Sequence, residues 1–414
     1  MTKIYTEKIT ITNQDEFLNK IPLDCKYVDI YYSNKNSNNK KLDLEKYQNL
    51  IHVKLKCDQN ILYQHKIIKA ANFIDLKSSY IKNLDCSLGN INGITILPEN
   101  LEVFKFNEND VVELPEFPST LIQLEFNNNK IYVLKNLHKL TKLKILKCSS
   151  NNKLYSLNSN LYNFPSNLIH LEISTCNIKI ISFINDLDNL EILKVNCNLI
   201  NGIIDLKTNK KLKILECISN KITSIINLPD CLEILKCSLN QISNLDNLPP
   251  KIKILICSNN LIKKLDNLPL GLETLICCHN QIIELDNLPC SLKKLDIQQN
   301  LIKSLDNLPS SITDLIISDN PINQLDNLPS SIKNLSIKNN PINQLDNLPI
   351  QLSKLKILGD INIKKISNIP SYLEEIKILN KYKTKNKTKN KLDLDIDLEK
   401  IINDGIKIVC DYKI

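Results

Sequence analysis

Apolar positions recur along this chain with a period of about 20 residues, a length that marks a stacked repeat. Between Ser310 and Pro349 one phrase is written twice, so that Leu325 matches Leu345, Asn320 matches Asn340 and Pro329 matches Pro349. The string LDNLP also begins at Leu245, Leu265, Leu285 and Leu305, evenly spaced. Within a unit the order is L-x-x-L-x-L-x-x-N-x-L-x-x-L-x-x-L-P. Starting from Ile312, the apolar places are Ile312, Leu315, Ile317, Ile322, Leu325 and Leu328. Leu315 and Ile317 lie two apart, which predicts a short strand carrying both side chains on one face. The other apolar residues then face the same interior from a turning return segment.

Asn320 falls where the chain leaves the strand, and its amide can satisfy backbone groups that the turn leaves unpaired. Repeated unit on unit, such residues predict an internal polar ladder. Pro329 favours an extended return segment and discourages helix. One short unit cannot enclose its own apolar face, so units must stack and bury one another's flanks.

The strand pattern L-x-x-L-x-L-x-x-N/C-x-L resembles the leucine-rich repeat family over most of the chain. The short unit with Leu-Pro in its return segment is similar to the repeats of bacterial effectors. The Asn, Ile and Lys usage with repeated LDNLP also resembles leucine-rich repeat proteins of giant DNA viruses of the mimivirus type. The resemblance implies a repeat solenoid, a leucine-rich repeat horseshoe. Parallel β-strands would line its concave face, with irregular, extended return segments on the convex face.

Along the chain, residues 1–50 do not show the period and are expected to cap the first repeat. Short strands are expected near Lys8–Thr12 and Lys26–Tyr32. The solenoid is expected over 51–379, irregular at first, lengthened by an insertion around Asn152–Asn163, and strictly periodic from Asn220 to Asn340. Residues 380–391 read as a basic low-complexity linker. Residues 392–414 regain apolar character and read as a C-terminal cap or tail.

The 14 cysteines would suggest disulfides in a secreted chain, but their positions argue otherwise. Cys86, Cys148, Cys217, Cys237, Cys257 and Cys277 take the second inward strand position, and Cys176 takes the Asn position. They are expected to be small buried apolar groups. No Cys/His cluster has metal-ligand spacing, and no cofactor is expected. The N-terminus lacks the apolar run of a signal peptide, and no apolar stretch is long enough to predict a membrane span. The expected setting is intracellular, in host cytoplasm or a virion if the viral resemblance holds. Of the formal charge of +8, six charges come from Lys381, Lys383, Lys385, Lys387, Lys389 and Lys391. The repeat body is near neutral, which argues against a phosphate-tracking surface and a specific nucleic-acid partner.

Function is sought on the strand face. Reading outward-pointing positions gives Ile192, Ile214, Ile234 and Ile254 just before the first inward strand residue. Ile256 and Ile276 lie between the inward residues, and Ile218 lies just after. These seven are expected to form an apolar partner-binding patch. Beside them Glu172, Lys194, Glu216 and Lys236 alternate in sign, which reads as a stabilising cross-strand ladder. No P-loop, G-x-S-x-G, H-E-x-x-H or kinase signature occurs, so no enzyme activity is expected. Some effectors with such repeats carry a large C-terminal ubiquitin-ligase domain, and the short stretch after these repeats is too small for one. The reading is a non-enzymatic scaffold that binds a protein through its concave face around repeats 190–300, a host protein under the viral resemblance. The alternative is a substrate-recognition adaptor of a ubiquitin-ligase system.

Overall fold

A computed structural model describes residues 6–11, 26–32, 50, 52–57, 73–75, 80–89, 91–154, 164–245, 247–265, 267–285, 287–342, 344–358, 365–366, 369–379 and 406–410. The lysine run 381–391, Asp360 and most of the expected C-terminal segment lie outside them. The chain divides into two compact units, 1–201 with 206–220 and 202–205 with 221–414.

The first unit is a parallel strand ladder. Thr6–Ile11, Tyr27–Tyr32 and His52–Cys57 pair in register, so the segment expected as a cap contributes the first two strands. Then follow Asn83–Asp85, Val103–Lys105, Gln123–Glu125, Ile145–Lys147, His170–Glu172, Ile192–Lys194 and Ile214–Glu216. A second small sheet pairs Phe73–Asp75 with Gly93–Ile96. The second unit repeats the design with Ile234–Lys236, Ile254–Ile256, Thr274–Ile276, Lys294–Asp296, Asp314–Ile316, Asn334–Lys338, Lys354–Leu358, Glu375–Leu379 and Lys407–Cys410. Among the described residues the return segments contain little helix: two short 3-10 turns at Leu137–Lys139 and Ser182–Asp186.

The two-residue spacing works as expected. Leu315 and Ile317 are fully buried, as are Leu255 and Cys257, and Leu275 and Cys277. In the first unit Phe104, Phe106 and Phe126 fill these places, with ring centroids 4.8 Å apart within one unit and 5.4 Å apart between neighbouring units.

The asparagine ladder is present. Asn300 Nδ2 donates to the carbonyls of Cys277, Ile297 and Gln298 at 3.0, 3.0 and 3.2 Å, and its Oδ1 accepts from Ile282 N at 3.0 Å. Asn109, Asn129, Asn260, Asn280 and Asn320 make the same set. Cys176 substitutes as a donor only, Sγ reaching the carbonyls of Cys148 and Ser174 at 3.4 and 3.2 Å. At Asn340 the ladder frays, and its Oδ1 is buried without a partner.

The proline does more than extend the return segment. Its carbonyl accepts the N–H three residues on, Leu292 N to Pro289 O at 3.0 Å and Ile332 N to Pro329 O at 3.2 Å, so it opens the turn into the next strand. The Asn of LDNLP, two residues earlier, is left-handed at Asn247, Asn267, Asn287, Asn307 and Asn327, with φ between 52 and 63°. Asn tolerates this region better than most residues, which gives the motif its third fixed position.

Candidate functional site

On the three-residue ladder strands the central residue points inward and its two neighbours point to the other face of the sheet. Adjacent strands stand about 4.8 Å apart, so equivalent neighbours form columns running along the sheet. Their content differs between the two units.

In the first unit, the column after the central residue alternates in sign at eight successive register positions: Lys54, Asp85, Lys105, Glu125, Lys147, Glu172, Lys194 and Glu216. Lys54 lies 3.7 Å from Asp85, while Glu125 lies 3.6 Å from Lys105 and 3.3 Å from Lys147. Burial alone would push the Glu125 carboxyl up, but the Gln123 amide at 2.6 Å and both lysines together hold it below the usual carboxylate range. The Glu172 carboxyl is also held down, first by His170 and then by Lys194 and Lys147, against desolvation. Only the end of this column was read from the sequence.

The column before the central residue holds Ile145, His170, Ile192 and Ile214 in register. All four are half-buried. Ile192 and Ile214 are therefore brought side by side, and Ile145 is a member that the sequence reading missed. Ile218 lies elsewhere: it ends a polar column just beyond the strands. There each side-chain oxygen of Ser87, Asn107, Asn127, Ser149, Ser174 and Asn196 accepts the N–H of the equivalent residue one unit on, the last being Ile218 N to Asn196 Oδ1 at 2.8 Å.

In the second unit, Ile234 stands opposite Ile254, and Ile254 opposite Thr274. Ile256 stands opposite Lys236 and Ile276, and Ile276 opposite Asp296. Beyond Asp296 the same column continues with Ile316, another half-buried isoleucine that the sequence reading missed. Ile234, Ile254, Ile256 and Ile276 are each half-buried between neighbouring strands. This is an apolar surface on a backbone fixed on both sides by parallel hydrogen bonding.

The thiols behind this face are inert. Cys237 is fully buried and burial pushes its thiol up to about 12, while burial also raises Cys257 and Cys277. Among the described residues no group of three or more His, Cys, Asp or Glu side chains is placed to hold a metal ion, and no helix is long and apolar enough to cross a membrane. A depression of about 570 Å³ on the first unit is lined by Ile122, Lys142, Lys144, Ile169, Glu191 and Lys211, flanking the strands rather than crossing their outward columns.

No protein-family model matches the sequence, and no curated protein does. Solved structures do share its fold. A leucine-rich repeat protein of Leptospira interrogans is 21% identical, covers 97% of this chain and 99% of its own, and superposes with a TM-score of 0.58. YopM, a leucine-rich effector protein from Yersinia pestis, is 22% identical over 77% of this chain and 86% of its own, with a TM-score of 0.56. The functional domain of InlJ from Listeria monocytogenes, described as including a cysteine ladder, is 20% identical over 83% and 72%, with a TM-score of 0.54. With its parallel strands, its asparagine ladder and these neighbours, the chain has the leucine-rich repeat solenoid fold.

Proposed function

We propose that this chain is a binding scaffold whose outward strand face docks a protein partner. Ile234, Ile254, Ile256 and Ile276 form the docking surface of the second unit. Ile192 and Ile214 form a smaller apolar pair on the first, while Ile218, at the end of the polar column, stands apart from them. The observation that carries this reading is the register of half-buried isoleucines on the second unit. A β-branched residue suits any strand. Clustering in two adjacent columns, with part of each side chain still accessible, is what an interaction surface requires. A solenoid of short rungs also offers a broad face rather than an enclosed pocket, which suits a macromolecular partner better than a small substrate. An adaptor role in a ubiquitin-ligase system would further require a second docking surface, sought in 1–50 or 391–414.

The test compares capture of partners by the full chain and by the double variant Ile234→Lys and Ile254→Lys, after circular dichroism has shown both to be folded. Partners captured by the parent and lost by the variant support the strand face. Equal capture by both overturns it and moves the search to the two ends of the chain.

A further inference from the structure

One carboxylate interrupts the apolar surface of the second unit. Asp296 is 8% exposed and stands in register between Ile276 and Ile316. Among the described residues its carboxylate takes hydrogen bonds from Gln298 alone, N to Oδ1 at 3.2 Å and Nε2 to Oδ2 at 3.3 Å. No cation of the described residues lies within ion-pair distance. Lys294 and His279 act on it only from further off, and burial leaves its carboxyl above the usual range. The first unit treats acids at this place differently: Asp85 stands between Lys54 and Lys105, Glu125 between Lys105 and Lys147, and Glu172 between Lys147 and Lys194.

A buried carboxylate between two isoleucines lowers stability unless something else compensates its charge. A group kept at such a cost, between two isoleucines that remain partly accessible, points to a ligand that supplies the missing charge. We propose that Asp296 anchors a basic side chain of the partner, so that the second unit takes a segment in which a lysine or arginine lies between aliphatic residues. The aliphatic residues would seat on Ile256, Ile276 and Ile316, and the cation would reach the carboxylate between them. An arginine can bridge both carboxylate oxygens, which Gln298 leaves with free lone pairs.

This inference rests on the strand-face reading above, and the test separates the two. A phage-displayed library of random 12-residue peptides is selected on the full chain, on Asp296→Asn and on the pair Ile254→Lys and Ile276→Lys. The enriched peptide and its version with the basic residue replaced by glutamine are then titrated against the parent and Asp296→Asn. The expected result is a motif with a lysine or arginine flanked by aliphatic residues, enriched on the parent and not on the isoleucine variant. Removing the peptide's basic residue should weaken binding to the parent about 10- to 100-fold, and binding to Asp296→Asn by less than about 3-fold. Peptides without a basic residue, or an equal loss on both proteins, overturn the anchor while leaving the isoleucine face standing. No enrichment on the parent, or the same peptides on the isoleucine variant, overturns the face and the anchor together. A second readout is thermal: Asp296→Ile should melt higher than the parent while losing the basic motif. A lower melting temperature would mean that the Gln298 bonds hold the strand end, and would overturn the anchor.

Discussion

Glu125 and Asp296 occupy the same place in the repeat, immediately after the buried leucine of their strands, and they meet opposite neighbours. Glu125 is 7% exposed and lies between two lysines, while Asp296 is 8% exposed and lies between two isoleucines. Burial pushes both carboxyls up, but at Glu125 the Gln123 amide and the two lysines outweigh it, while at Asp296 the Gln298 bonds and the more distant Lys294 and His279 do not. The two should therefore leave opposite signatures in the pH dependence of stability. Glu125 is depressed in the folded chain, so its contribution is present above the unfolded carboxylate range and is lost as pH falls through its folded value. Asp296 is raised, so its contribution is present below the unfolded value and is lost as pH rises through the folded one. Melting curves between pH 3 and pH 7 should show Glu125→Gln falling further below the parent as pH rises, by about 1–2 kcal/mol at neutrality. Asp296→Asn should gain on the parent over the same range. Parallel curves for the two variants would contradict the assignment.

The asparagine ladder makes a graded prediction. Asn300→Ala leaves Ile282 N without its acceptor and takes one of two donors from each of three carbonyls, and should cost about 1–3 kcal/mol in urea unfolding. Asn300→Cys should cost less, since Cys176 already serves as a donor at this place. Asn340→Ala should cost less than Asn300→Ala, because its oxygen bonds nothing. Equal losses for all three would mean that packing, rather than hydrogen bonding, fixes these positions.

Thiol reactivity should follow burial. Cys197 and Cys290 are exposed, while Cys86, Cys148, Cys176, Cys217, Cys237, Cys257 and Cys277 are buried. Burial pushes Cys176 up to about 11 and Cys237 to about 12, which leaves almost no thiolate at neutral pH. Brief maleimide treatment read by peptide mass spectrometry should label Cys197 and Cys290 in the folded chain. The seven core thiols should label only after denaturation.

Leu239 holds φ at 56° with its side chain 50% exposed. The equivalent residues Asn128, Asn259 and Asn339 adopt the same conformation at less strain. Leu239→Asn should stabilise the chain by about 0.5–1 kcal/mol in denaturant unfolding. A loss would mean that the Leu239 side chain makes a contact worth more than the backbone strain.

Where the period is strict, the sequence was enough to place residues. Leu315 and Ile317, Leu255 and Cys257, and Asn300 and Asn320 all stand where the repeat put them. Where the period slips, counting cannot find cross-strand neighbours. From Lys54 through Asp85, Lys105, Glu125 and Lys147 to Glu172 the steps along the sequence are unequal, longest at the two ends, yet the strands bring each residue opposite the next. The alternating column was therefore read only from Glu172 onward. The left-handed Asn247 and its equivalents were missed for another reason: a fixed φ leaves no hydrophobic trace, and only the recurrence of Asn before Leu-Pro hinted at it. Ile316 was missed because Asp296 broke the run of isoleucines. That break is the feature on which the partner's charge is argued.

The asparagine ladder also has a mechanical meaning. In the strictly periodic part of the second unit, Asn280, Asn300 and Asn320 each tie one turn of chain to the turn before it, and each rung holds one repeat. Pulled from its C-terminal end, such an array yields by unpeeling, one rung per rupture, because each rung is bonded chiefly to its neighbours. A released rung extends by up to about 70 Å, less the roughly 5 Å it occupied in the stack. The same bonds that fix each turn of the backbone thus give the molecule an even graduation in length, with the asparagines as its marks.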